Sequence, residues 1–174
     1  MEKKNRKNNK KYKNVILYGF MCSGKTTIAK KLSKKLALKF IDTDLIFEKK
    51  YGSIKKFVER YGFKKFRELE KKIFRNSIKE KNAVISAGGG IFPSKLVNSL
   101  QIFLNPPFSV LEKRFFKNKQ NRPLLTNYPL NKKEIIKLYL KRIKKYRKAG
   151  YEIKETDLNK IINLIKSYYE NPQT

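Results

Sequence analysis

The sequence predicts an α/β protein of three layers, a central parallel sheet of about five strands with helices on both faces. Two observations carry that prediction. Short apolar runs ending in Gly, Pro or Asp recur along the chain, and segments with helical apolar spacing lie between them. "NVILYGF" (14–20) is the first strand, and "KTTIAKKLSKKLAL" behind it sets Ile28, Leu32 and Leu36 along one helical face. "KFIDTD" (39–44) is a second strand ending in polar residues. Residues 45–80 are helical in character, with Phe66, Leu69 and Ile73 on one face and a break expected at Tyr61–Gly62. "NAVISAGGG" (82–90) is a third strand running into glycines, and "LQIFLNPP" (100–107) is a fourth, stopped by Pro106 and Pro107. A helix over 109–117, an irregular polar stretch through Asn127 and a long helix over 131–148 follow. "YEIKE" (151–155) supplies a fifth strand, and "DLNKIINLIKSYY" a closing helix opened by an Asp157 cap. Ligands of such a sheet lie at the carboxyl ends of its strands.

At 174 residues the chain can bury one good core, so a single unit is expected over 14–174. The basic segment before it, "MEKKNRKNNKKYK", has the composition of a disordered tail. One cysteine, Cys22, and no histidine exclude a disulfide framework and the usual zinc ligand sets, and a cytoplasmic location fits best. No apolar run reaches the roughly 18 residues of a membrane helix. Of the net charge of +30, residues 1–13 carry +6 and the remainder is spread without a dense block. The basic residues are overwhelmingly Lys, accompanied by abundant Asn, Ile, Tyr and Phe, the residues of AT-rich codons. This charge favours anionic ligands and weak, non-specific attraction to nucleic acid, and it does not require a nucleic-acid function. A monomer is expected.

The stretch "GFMCSGKT" (19–26) matches G-x-x-x-x-G-K-S/T without a mismatch, between a strand and a helix as that motif requires. Backbone N–H groups of such a loop surround phosphate oxygens. Lys25 reaches the β- and γ-phosphates, and the Thr26 hydroxyl can ligate Mg²⁺. The nucleotide-binding candidates are Gly19, Cys22, Ser23, Gly24, Lys25, Thr26 and Thr27.

Clues to the phosphate acceptor sit at the other strand ends. "DTD" puts Asp42 and Asp44 on the same rim as the phosphate loop, one able to serve a metal and the other to take a hydroxyl proton. A helix cap is the plain alternative for either. Gly88, Gly89 and Gly90 would let a ligand approach bare backbone, although alone they make an ordinary loop. Arg67 and Glu70 share a helical face and could hold a small anion or form a simple surface pair. Arg122, in "NRPLL", lies in a polar stretch long enough for a mobile lid, where an arginine can stabilise charge during phosphoryl transfer. Arginine is scarce beside lysine, which singles out Arg67, Arg122 and Arg142 for planar, bidentate anion recognition.

Taken together and in order, "GFMCSGKTT", "FIDTD", "GFKKFRELE", "ISAGGG", "NRPLL" and "KRIKKYRKA" resemble the shikimate kinases, small members of the P-loop kinase fold, over about residues 14–170. The resemblance implies MgATP-dependent phosphorylation of the 3-hydroxyl of shikimate, on the route to chorismate and the aromatic amino acids. It implies that Asp44 holds the substrate hydroxyls and assists deprotonation, and that Asp42 acts near the metal with Thr26. Arg67 and Arg142 would clamp the shikimate carboxylate beside Glu70, and the three glycines would shape the pocket floor. Arg122 would be the lid residue over the phosphates and Arg114 would pack on adenine. Lys25, Asp44 and Arg122 are thus the expected catalytic set.

Three positions depart from the family pattern. Cys22 stands where a glycine or another small residue is usual, which a Cys tolerates if φ is negative. Phe63 replaces the usual Glu ahead of Phe66-Arg67, and Ala149 comes one position early after Tyr146. Two other readings use the same loop. A gluconate-type kinase would lack the paired arginines, and a nucleic-acid-associated module would need neither the DTD nor the glycine run.

Overall fold

The computed structural model describes residues 14–92, 94, 96, 99–117, 132–155 and 157–170. The basic tail and the expected lid with Arg122 lie outside the described residues. Five strands, β1 (Asn14–Tyr18), β2 (Lys39–Asp42), β3 (Ala83–Ser86), β4 (Ser99–Leu104) and β5 (Tyr151–Ile153), form one sheet in the order β2-β3-β1-β4-β5, and every pairing is parallel. The helices are α1 (Lys25–Leu36), α2 (Thr43–Tyr51), α3 (Ile54–Ser77), α4 (Phe108–Lys117), α5 (Lys132–Tyr146) and α6 (Leu158–Glu170).

β1 reads as an unbroken apolar run because both of its faces are covered. Val15 and Leu17 point into a core shared with Ile28 and Leu32 of α1 and Ile161 and Ile165 of α6. Ile16 and Tyr18 point the other way, into a core with Phe74 of α3, Leu111 and Phe115 of α4, and Ile135, Ile143 and Tyr146 of α5. A smaller cluster of Phe47, Ile54, Phe66 and Ile73 joins α2 to α3.

The helical stretch expected over 45–80 is two helices. The chain starts turning at Thr43 and breaks at Gly52, whose φ of 78° is open to glycine without steric cost. The break expected at Tyr61–Gly62 is a kink inside α3, where Gly62 takes φ 77° and ψ 163°. Asp157 caps α6 as expected, accepting from Asn159 N at 2.8 Å. Chain reversal in the strand order lies beside β1, whose neighbours β3 and β4 are reached by crossovers to opposite sides. The loops after β1, β2 and β3 therefore open side by side at one rim.

Candidate active site

The loop after β1 turns through Gly19 (φ 144°), where a Cβ would collide with the Leu104 carbonyl, and reaches α1 through Gly24 (φ 92°). Lys25 Nζ donates to the carbonyls of Gly19 at 3.0 Å and Phe20 at 2.9 Å, so its ammonium closes over the loop. Ser23 Oγ is buried and has no hydrogen-bond partner among the described residues. Cys22 is buried with φ 65°. The condition of a negative φ is not met, and the cysteine occupies left-handed backbone that disfavours any side chain. Arg114 Nη1 donates to the Cys22 carbonyl at 3.3 Å, so α4 braces the loop.

Asp42 is the helix cap, one of the two readings open to it in the sequence. Its Oδ1 accepts from the backbone N–H of Asp44 at 2.9 Å and Leu45 at 3.3 Å, capping α2, while Oδ2 accepts from Thr26 Oγ1 at 2.7 Å. Ser86 Oγ lies 3.4 Å from the same Thr26 hydroxyl. Three hard oxygen donors thus meet at the start of α1. Asp44 is not the cap; it stands in the first turn of α2 and faces the glycine loop.

That loop explains why glycines are needed. A Cβ on Gly88 would meet Glu70 Oε1 and, at 2.8 Å, Asp44 Oδ1; one on Gly90 would overlap the Arg67 guanidinium and lie 2.7 Å from Glu70 Oε2. The Arg67–Glu70 pair is no loose surface contact, since Nη1 donates to Oε2 at 2.5 Å and the Glu70 side chain is only 3% exposed. Arg142, from α5, donates Nη1 to the Gly89 carbonyl at 3.0 Å and lies over the Phe20 ring. Its guanidinium is half-buried and points inward.

Electrostatics follow from this crowding. Burial, then the neighbouring Asp42 and Glu70 carboxylates, push the Asp44 carboxyl up to about 6, against the smaller opposing pull of Lys25 and Arg67. Burial lowers the Arg142 pKa, and the nearby positive Arg67 lowers it further. Two guanidinium groups face one loop, which makes a focus for an anion, while a carboxyl with a displaced pKa stands beside it.

The family model for shikimate kinase matches residues 21–170. The chain belongs to the shikimate kinase family. Among curated relatives, the shikimate kinase of Caldicellulosiruptor bescii is 41% identical over 153 residues, covering 84% of this chain and 87% of that protein. The shikimate kinase of Clostridium botulinum strain Loch Maree is 39% identical over 164 residues, covering 89% and 95%. Among solved structures, shikimate kinase from Acinetobacter baumannii in complex with shikimate superposes with a TM-score of 0.77 at 26% identity, over 90% of this chain and 94% of that one. The fold class read from the sequence, a P-loop kinase sheet of five parallel strands, is therefore the fold of a shikimate kinase.

Within this family site, Thr43 and Tyr146 escaped the sequence reading. Thr43 Oγ1 accepts from Gly88 N at 2.8 Å, and Tyr146 OH donates to the Gly89 carbonyl at 2.5 Å. The available signals were slight: a hydroxyl between two aspartates, and a tyrosine one helical turn after Arg142. Phe63, the departure from the family's Glu, packs against the α2–α3 cluster. Among the described residues no helix is long and apolar enough to cross a membrane, and no group of three His, Cys, Asp or Glu side chains could hold a metal by itself.

Proposed function

We propose that this chain phosphorylates the 3-hydroxyl of shikimate with ATP. The observation that carries the reading is the convergence of Asp44, the Arg67–Glu70 pair and Arg142 on the Gly88–Gly90 loop, one loop away from Lys25. The acceptor carries a carboxylate and ring hydroxyls. Arg67 and Arg142 bind the carboxylate as planar forks, Glu70 fixes the Arg67 guanidinium, and the bare glycine backbone lets the ring lie flush.

Gly19, Cys22, Ser23, Gly24, Thr26 and Thr27 cradle the phosphates of ATP, and the buried Ser23 hydroxyl is suited to a phosphate oxygen. For Arg122 the family resemblance implies a role on the phosphates, and Arg114, whose guanidinium braces the loop, flanks the adenine. Thr26 and Asp42, with Ser86 near, suit Mg²⁺, which takes one or two protein oxygens and completes its shell with phosphate and water. The ion would neutralise charge on the phosphates.

In the reaction the 3-hydroxyl oxygen attacks the γ-phosphorus in line, the bond from that phosphorus to the β,γ-bridging oxygen breaks, and ADP leaves. The hydroxyl proton passes to Asp44, which is ionised at neutral pH yet basic enough to take it. Lys25 and Arg122 stabilise charge on the transferring group. The protein works in the cytoplasm as a monomer.

The test is ADP release from MgATP with shikimate, gluconate or a nucleoside monophosphate as acceptor. Stimulation by shikimate alone is expected, and Lys25→Ala should lower that rate at least about a hundredfold. Stimulation by gluconate instead would leave the phosphate loop in place and overturn the roles given to Arg67 and Arg142.

A further inference from the structure

We infer that the hydroxyls of Thr43 and Tyr146 position the acceptor by clamping the Gly88–Gly90 loop from two sides, an inference that rests on the proposed reaction. Three consecutive glycines have no side chains with which to hold themselves, so the loop takes its place from what binds its backbone. Ala87 N is held by the Leu17 carbonyl at 2.9 Å, which ends the pairing with β1, and Ile91 N returns to the Gly88 carbonyl at 3.0 Å. Between these points the loop is held by Thr43 Oγ1 on Gly88 N, and by Tyr146 OH and Arg142 Nη1 on the Gly89 carbonyl.

Both hydroxyls are rigidly mounted. Thr43 is 1% exposed and sits between Asp42, fixed as the α2 cap, and Asp44. Tyr146 is equally buried, with the Phe92 ring centroid 4.9 Å away and that of Phe103 5.2 Å away. The Tyr18 hydroxyl donates to the Tyr146 carbonyl at 3.1 Å. Burial pushes the Tyr146 phenol up to about 12, so it remains an O–H donor across the working range of pH. The consequence for the acceptor is geometric. Gly88 lies flush against Asp44 and Glu70, and Gly90 against Arg67, so a shift of the loop changes the space between the base and the clamp. Arg142 shares its acceptor, the Gly89 carbonyl, with Tyr146, so the carbonyl that the tyrosine fixes also aims the guanidinium.

The experiment compares Tyr146→Phe, Thr43→Val and Thr43→Ser, with shikimate and ATP varied separately. Loss of one buried hydrogen bond should raise the KM for shikimate about fivefold and leave the KM for ATP within about twofold. Thr43→Ser keeps the hydroxyl and should restore the parent value. Tyr146→Phe should add less in an Arg142→Lys background than alone, because both act on one carbonyl. Equal rises in both KM values, or an unchanged KM for shikimate, would overturn the inference while the parent still turned over shikimate. A parent inactive on shikimate would instead overturn the proposed reaction. The clamp is then read by amide hydrogen exchange over residues 87–91, which should quicken at least about threefold in Thr43→Val and not in Thr43→Ser; unchanged exchange overturns it.

Discussion

Asp44→Asn should make the protein more stable at neutral pH while removing its activity. Asp44 is half-buried beside the Asp42 and Glu70 carboxylates, and its pKa rises from 3.8 to about 6. A rise of about 2 units corresponds to roughly 3 kcal/mol at full weight, and partial solvent access reduces this to about 1–2 kcal/mol. The sign follows from proton linkage. Between pH 3.8 and about 6 the unfolded chain ionises this carboxyl while the folded protein keeps it protonated, so the contribution present at low pH is lost as pH rises through 6. The neutral, nearly isosteric Asn avoids that loss. At pH 7.5 the variant should therefore melt about 3–6 °C higher than the parent, and near pH 4 the two should converge. Activity should fall about 100- to 10,000-fold, and the parent's kcat/KM for shikimate should rise with pH through a midpoint near 6. Paired thermal melts at the two pH values and the ADP-release assay provide the readouts. A variant less stable than its parent at pH 7.5, or one that keeps a tenth of the rate, would refute the reasoning.

Gly90→Ala should lower kcat/KM for shikimate at least about tenfold and leave the KM for ATP within about twofold, because a Cβ there overlaps the Arg67 guanidinium and must displace it. Steady-state kinetics with each substrate varied would check this, and a matched loss for both substrates would refute it. Cys22→Gly should stabilise the protein by about 0.5–1 kcal/mol, the relief of left-handed strain less the greater entropy of an unfolded glycine. Cys22→Ala should give no such gain, and the two urea midpoints measured side by side decide the matter.

How much of this was legible in the sequence depended on whether a feature was local. The phosphate loop, its flanking strand and helix, and the five-strand count follow from apolar runs and glycines whose meaning is set within ten residues. The break at Gly52 did not stand out because Leu45 to Glu80 carries helix-forming residues on both sides of it and a lone glycine is tolerated in many helices. Arg67 and Glu70 could be paired by spacing alone, but the glycine that leaves room for them, Gly90, lies far along the chain in a different loop. Thr43 and Tyr146 are legible only when the distant backbone they hold is in view. The backbone angle at Cys22 likewise belongs to the folded loop.

The direction of the Asp44 shift bears on what the large positive charge does. With a net charge of +30, a uniform field would depress the pKa of every carboxyl in the protein. Asp44 moves the other way because most lysines are exposed and screened over about 8–10 Å, whereas desolvation and two neighbouring carboxylates act within the site. The two scales can therefore serve different ends. Long-range charge favours the approach of ATP and a carboxylate acceptor, both anionic, and should give association rates that fall with salt. In the proposed reaction the proton goes to Asp44, whose pKa is set by burial, Asp42 and Glu70, so a midpoint near pH 6 should barely move over the same salt range. Loss of basic surface charge would then slow encounter without altering the chemical step, which accounts for how a lysine-rich composition can drift while the few arginines and acids at the strand ends keep their geometry.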